Sequence, residues 1–401
     1  MGKKILIVSP TPTHPQNSGN RARIFHLSET MRSIGYDPYF FYHAVEGGDI
    51  NAMQYYWRDK LRIFRVSPVK RAIKRIYPKS IPWTACSAPS FHMAAKTESA
   101  VRGFGIDDWY TSGIEKRVLR FHKNAGFQVI WVEYAYLSKI LEFFDKSVFK
   151  ILDTHDIFSE RDRLYSDHGL RPEWFFTTTE SEKKGLTRAD AVVAITKSDQ
   201  AFFKDIGLKN VVTIGHLIPA AERISPAPAH RTILYIASQN TINVLAWQYF
   251  VEKMLDQVMA KIPGVRIIVA GNICSRIPDD ERYQKVGYVA DIGKLYEKAT
   301  FTMNPTLMGT GLKIKTVEAL AHGCPVVATP AAAGGLEGAL NKGVLVGKEP
   351  VQFIEHMISL CMDSSRRMQQ AQKGLQYAKT YFQQNTNQLK FLLDQKSTVA
   401  N

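Results

Sequence analysis

Short runs of apolar residues recur along this chain, each closed by a polar or turn-forming residue and most followed by a stretch with apolar positions three or four apart. Residues 4–9 (KILIVS) begin the series, with proline and glycine close behind, and residues 23–34 then carry apolar side chains at helical spacing until Gly35. Runs this short without alternation predict strands buried on both faces, and the longer period predicts the helices that cover them. Further strands are predicted at residues 38–42, 128–132 (QVIWV) and 149–153 (FKILD). Residues 188–196 repeat the unit with a helix over 197–206, and a strand at 210–214 closes the first half.

Residues 219–230 (PAAERISPAPAH) are rich in proline and alanine and have no apolar period, so they are the expected linker. A second series starts at residues 232–237 (TILYIA), continues with an amphipathic helix over 245–262 ended by Pro263 and Gly264, and adds strands at 266–270, 285–289, 301–304 and 325–328. Strand and helix alternate throughout, so the expected fold class is α/β, with two doubly wound Rossmann-like domains facing across a cleft. The expected division is a first domain over 1–217, a linker over 218–230, a second domain over 231–376 and a C-terminal segment over 377–401, helical from 377 to 395. Ligands of open α/β sheets sit beyond the carboxyl ends of the strands, so chemistry is sought in the cleft.

The 401 residues, 45% hydrophobic and 22% charged, suit two globular domains and exclude a disordered chain. Only four apolar residues, Ile5 to Val8, precede Ser9 and Pro10, which reads as a strand and is too short for a signal peptide. Cys86, Cys274, Cys324 and Cys361 are widely spaced without a CxxC pair, as expected of reduced thiols in a cytoplasmic protein. The net charge of +15 exceeds what solubility requires and points to an anionic surface. The segment from Arg58 to Lys79 (RDKLRIFRVSPVKRAIKRIYPK) has nine basic residues against one acidic, interleaved with apolar ones. It reads as a basic amphipathic face for the cytoplasmic side of an anionic membrane, or as a solvated helix and loop packed on its domain. No nucleic-acid-binding module is recognisable, so nucleic acid is not an expected partner.

Residues 309–336 (GTGLKIKTVEALAHGCPVVATPAAAGGL) concentrate the candidate chemistry. Gly309 and Gly311 free the backbone for close approach to a ligand, and a helix over 313–322 opens directly after them. A glycine loop opening a helix offers free N–H groups and a partial positive charge that suit a diphosphate. Lys313 and Lys315 add cations there, and Glu318 presents a carboxylate suited to vicinal ribose hydroxyls. The same spacing also fits a plain loop-helix-strand crossover with solvent lysines and a surface glutamate. His155, and Glu133 with Tyr134, follow predicted strands at the cleft edge, where site roles stand beside structural ones.

The chain resembles the retaining GT-B glycosyltransferases of family 4, the group 1 transferases. The likeness is strongest over residues 286–336, where VGYVADIGKLYEKA, NPTLMGTGLKIKTVEALAHG and CPVVATPAAAGGL follow one another. It extends through PTPTHPQNSGNRARIFHLSETMRSIGY, QVIWVEYAYLSKIL, KILDTHDIFSERDR and RADAVVAITKSD. The resemblance implies a GT-B fold and transfer of a sugar from a UDP- or GDP-linked donor, a co-substrate rather than a cofactor, to a lipid-linked or polysaccharide acceptor. It also implies that the final helix crosses back onto the first domain.

By the same resemblance Glu318 binds the donor ribose, and the backbone over Gly309, Thr310, Gly311, Leu312 and Lys313 holds the diphosphate and sugar. Tyr288 and Val289 flank the base, His155 aligns the donor sugar, and Gly19, Asn20 and Arg21 line the acceptor side. Glu133 and Tyr134, at their strand end, join that acceptor side.

Two departures stand out. Thr310 occupies the place, eight residues before Glu318, where the family has a second glutamate, which leaves the donor sugar open. Residues 238–243 (SQNTIN) lack the basic pair that many members carry on that loop, a charge that Lys313 or Lys315 would supply. Asp107-Asp108 and Asp279-Asp280 lie in turn-like surroundings, so the chemistry is read as metal-independent, with no metal site. The competing readings are a nucleotide-sugar epimerase of the same architecture and a non-catalytic partner subunit. A dehydrogenase is disfavoured because residues 9–19 (SPTPTHPQNSG) replace GxGxxG after the first strand.

Overall fold

A computed structural model describes residues 3–65, 103–159, 161–170, 172–224 and 231–395 of the chain. Strands β1 (Lys3–Ser9), β2 (Tyr36–His43), β3 (Leu61–Phe64), β4 (Val129–Glu133), β5 (Phe149–Asp153), β6 (Ala191–Ala194) and β7 (Val211–Thr213) form one parallel sheet. Their order across it is β3-β2-β1-β4-β5-β6-β7. Strands β8 (Thr232–Ile236), β9 (Arg266–Ala270), β10 (Gln284–Gly287), β11 (Phe301–Asn304), β12 (Val326–Ala328) and β13 (Val344–Val346) form a second, ordered β10-β9-β8-β11-β12-β13. The expected α/β class, with two doubly wound parallel sheets, is realised.

The central strands are buried on both faces, as their unbroken apolar runs require: Ile5, Leu6, Ile7 and Val8 are all fully enclosed. In each sheet the winding reverses at the middle, so that β1 lies beside β4 and β8 beside β11. Connections on either side of such a point diverge and leave a crevice at the carboxyl ends of the strands.

Several elements differ from the sequence expectation for local reasons. β3 falls inside the basic segment, where Leu61 is buried and Arg62 exposed, so an edge strand reads there as an amphipathic surface. The rest of that segment, residues 66–79, lies outside the described residues. β13 has only three residues, too few for a pattern. The first helix spans Gly19–Ser33 and starts four residues early, because its Gly-Asn-Arg turn is polar. The predicted helix over 245–262 starts at Thr241, where Asn240 accepts the Asn243 amide at 2.8 Å, and it carries a π-helical turn at Val251–Leu255. Of the expected linker, residues 219–224 are irregular and 225–230 lie outside the described residues.

The final helix spans Ser364–Asp394, beginning well before the expected start at 377, and it reaches both layers. Ala378 packs with the second sheet, while Leu389, Leu392 and Leu393 enter the core of the first. Full burial of each leucine stabilises this docking by about 1.5–3 kcal/mol. Asn385 Oδ1 accepts the Gly215 amide at 2.6 Å, and Tyr381 packs so close to Gly215 that any side chain there would collide with its hydroxyl.

Candidate active site

The carboxyl ends of both sheets face a common cleft of about 760 Å³. Its first wall follows from strand pairing. Parallel register sets Glu133 at the end of β4 beside Asp153 at the end of β5, and His155 comes two residues later. His155 Nε2 lies 2.6 Å from Glu133 Oε2, with both side chains enclosed. Burial pushes the Glu133 carboxyl up to about 8, against the pull of Arg23, and pushes His155 down to about 4, against Asp153. The two groups therefore share one proton at neutral pH and carry no net charge.

Tyr134 stacks on the His155 ring at 4.2 Å and 16°. Its backbone takes φ of +70°, uncommon for a residue with a side chain, and its amide donates to the Asp153 carbonyl at 2.9 Å. Asn20 Nδ2 donates to the Tyr134 hydroxyl at 3.0 Å, which ties this wall to the Gly19–Ser33 helix. Beneath it, buried Arg23 donates to Asp153 Oδ1 at 2.7 Å and to the Gly215 carbonyl at 2.6 Å. Ligand atoms of Glu133, Asp153 and His155 lie within 4.8 Å of one another, as metal donors would. Arg23 and the shared proton already balance the charge of that group.

The second wall is the loop after β11 and the Ile314–Ala321 helix it opens. Gly309 and Gly311 take φ of +121° and +65°, which favours glycine at both. A Cβ on Gly311 would lie 2.9 Å from the His155 carbonyl oxygen, so the loop touches the first wall. Thr310 Oγ1 donates to Asp156 Oδ1 across the same seam.

Lys313 folds back, Nζ donating to the Thr310 carbonyl at 2.9 Å. Lys315 Nζ sits 4.8 Å from the Tyr235 ring centroid and donates to Asn243 Oδ1 at 3.2 Å, while burial, then the charge of Lys313, push it down to about 7. Glu318 is only 7% exposed, and burial pushes its carboxyl up to about 7. The surface-glutamate alternative therefore fails, and Lys315 is held inside the cleft wall.

Gly19, Asn20, Tyr134, His155, Tyr288, Val289, Thr310, Leu312, Lys313, Lys315 and Glu318 line the cleft together, and Gly309 lines an adjoining space of about 180 Å³. Gly311 packs at the seam. Glu133 lies behind His155 rather than on the cleft surface, and Arg21 turns to the Gly47 carbonyl at 2.6 Å.

Arg161, Glu173, Arg276 and Glu46 also line the cleft without having been singled out in the sequence. Glu173 spans the two walls by accepting the Thr241 amide at 3.2 Å. Their place in the cleft follows from the fold and carries no signal in the sequence.

Residues 230–363 match the family described as glycosyl transferases group 1. The chain is 21% identical over 398 residues to an "uncharacterized 44.6 kDa protein in cps region" of Klebsiella pneumoniae, covering 89% of this chain and 90% of that one. Sucrose-phosphate synthase from Thermosynechococcus elongatus superposes with a TM-score of 0.66 at 14% identity, covering 99% of this chain and 100% of the other. A variant of S. aureus TarM, in complex with fondaparinux, alpha-GlcNAc-glycerol and UDP, gives 0.65 at 11%, covering 96% and 99%. The architecture is that of the two-domain, Rossmann-like GT-B fold. Among the described residues no helix is long and apolar enough to cross a membrane.

Proposed function

We propose that this protein is a retaining glycosyltransferase that moves a sugar from a nucleoside diphosphate-sugar to a hydroxyl of a glycan or lipid-linked acceptor. The observation that carries the reading is the meeting, in one cleft, of a glycine loop opening a helix, a buried lysine, a buried glutamate and an anchored histidine. In the transfer, the bond from the sugar's anomeric carbon to the β-phosphate oxygen breaks and a bond to the acceptor oxygen forms. The acceptor's proton leaves with the nucleotide.

Departure of the nucleotide builds charge on the β-phosphate. The free N–H groups ahead of the Ile314–Ala321 helix and the Lys315 ammonium are fixed donors aimed at that position. Lys315 also reaches Asn243, and so brings a cation to the loop that lacks its own basic pair. These charges supply the stabilisation without a metal ion. Glu318 accepts the ribose hydroxyls, Tyr288 and Val289 flank the base, and His155, clamped by Glu133 and Tyr134, faces the sugar. Asn20, Tyr134 and Glu46 leave hydroxyl-binding groups on the acceptor side.

The TarM variant's complex with UDP and alpha-GlcNAc-glycerol, and the place of the Klebsiella relative in a cps region, support a nucleotide-linked donor and a polysaccharide role. Arg117 and Arg120, exposed beside β3, add to the positive face and support docking on the cytoplasmic side of an anionic membrane. Sedimentation with anionic vesicles at low salt tests that docking, and absence of binding removes it.

The central test is a calorimetric and thermal-shift screen against UDP, GDP, ADP and their sugar conjugates, repeated with Glu318→Ala. One nucleotide stabilising the wild type, with a weaker effect in the variant, is expected. No binding to any of them would leave the partner-subunit reading.

A further inference from the structure

Behind Glu318 lies a histidine to which the proposed transfer gives no role. His216 follows β7 on the stretch leading to the second sheet and is fully buried. Its Nδ1 and Nε2 have no hydrogen-bond partner among the described residues, and Nε2 lies 3.8 Å from Glu318 Oε1. An imidazole always carries at least one N–H, so the fold encloses a donor without its acceptor.

The charged and titratable groups around this ring come from three helices. From Gly19–Ser33 come His26, edge-on at 5.3 Å between centroids, and Arg23, which Asp153 already neutralises at 2.7 Å. From Ser364–Asp394 comes Tyr381, near the His216 backbone, and from Ile314–Ala321 comes Glu318. Of these, Glu318 alone offers a carboxylate within 4 Å of the ring nitrogens. Arg23 and Asn385 grip Gly215 from opposite sides, so His216 has a fixed place against the first sheet while Glu318 belongs to the second.

We propose that His216 is a positioning residue for Glu318, accepting the carboxyl proton when a nucleotide ribose engages that side chain. The Oε1–H bond of Glu318 breaks and an Nε2–H bond forms on His216 as the 3.8 Å gap closes to hydrogen-bond length. Glu318 then meets both ribose hydroxyls as an acceptor, and its charge is balanced inside the protein. Burial holds the resting pair in its neutral form, raising Glu318 to about 7 and pushing His216 well below its usual range, with His26 and Arg23 adding to the latter. The proposal rests on the reading of the cleft as a nucleotide-sugar site.

Calorimetry of UDP binding at pH 6, in buffers of different ionisation enthalpy, counts the protons exchanged. At that pH a carboxyl titrating near 7 is still largely protonated, and so is Lys315. Wild type and Glu318→Gln are expected to exchange equal numbers, because the Glu318 proton stays within the protein. His216→Gln is expected to release about one proton more than the wild type, and the double variant to return to the wild-type count.

Equal counts for His216→Gln and wild type overturn the proposal. If His216→Gln does not fold, a wild type that releases about one proton more than Glu318→Gln overturns it equally. Failure of the wild type to bind UDP or any other nucleotide instead removes the nucleotide reading itself, and this proposal with it.

Discussion

Gly19 and Ile314 meet across the cleft: a Cβ placed on Gly19 would lie 3.0 Å from both Cβ and Cγ1 of Ile314. The first helix of one domain and the helix opened by the glycine loop of the other thus touch with no room for a side chain between them.

Gly19→Val is expected to hold the walls apart. Reacting groups displaced by about 1 Å lose roughly 100-fold in rate, so turnover falls by 10- to 100-fold. The melting temperature moves little, because Gly19 belongs to neither core and Ile314 lies at the rim of its own. Steady-state kinetics beside thermal melting check this; unchanged turnover would show that the contact has no part in closure.

The Glu133–His155 pair predicts a pH-dependent stability. Burial raises the folded-state Glu133 to about 8, so between roughly pH 5 and 8 the native carboxyl keeps a proton that the unfolded chain has lost. Glu133 itself binds more protons in the native state across that window, so its contribution to stability falls as pH rises; below about pH 6.5 His155, pushed down to about 4, opposes it, because the unfolded imidazole holds a proton that the native one lacks. Glu133→Gln cannot titrate. Its stability difference from the wild type should shift against the wild type by up to about 1.4 kcal/mol per pH unit across the window. Denaturant melts of both proteins at pH 5.5, 6.5 and 7.5 measure the slope, and a difference independent of pH contradicts the shared-proton arrangement.

How much of this was legible in the sequence depends on whether a feature is local. Strands such as Phe149–Asp153 and Arg266–Ala270 were readable because burial on both faces imposes an unbroken apolar run. The glycine loop was readable because positive φ is a requirement at single residues, met at Gly309 and Gly311. The Glu133–His155 contact was not, since it spans 22 residues and exists only through the register of β4 on β5. His216 stands after a predicted strand as His155 does, but only the helix facing it reveals an acid at 3.8 Å.

The two lysines of the loop should behave differently. Lys315→Met removes a cation from the proposed phosphate position, and a lost charge-assisted contact costs about 1.5–3 kcal/mol, so UDP affinity falls 10- to 100-fold. UMP, without the β-phosphate, loses less. Lys313→Met acts through the loop, because its Nζ is spent on the Thr310 carbonyl, and it weakens UDP and UMP alike. Burial brings Lys315 down to about 7, and phosphate binding favours its charged form. Above that pH the UDP dissociation constant rises by up to tenfold per unit, a slope that Lys315→Met abolishes. Calorimetry from pH 7 to 9 reads both effects.

In the proposed transfer, Thr310 and Asp156 would meet the donor sugar. The missing glutamate of the loop leaves no carboxylate on that wall at position 310, yet Asp156 comes from the opposite domain to bond Thr310 Oγ1. Arg161 holds the other oxygen of Asp156 at 3.3 Å, which fixes the carboxylate at the seam beside His155. In the proposed transfer, a carboxylate there would accept sugar hydroxyls without touching the nucleotide. Asp156→Asn keeps the size and one acceptor oxygen but removes the charge. It should leave UDP affinity within about twofold, while the intact nucleotide-sugar loses about 1–3 kcal/mol, the cost of an impaired charged hydrogen bond. Equal losses for UDP and its sugar conjugate would place Asp156 with the domain contact instead, since a seam that fails to close weakens every ligand alike.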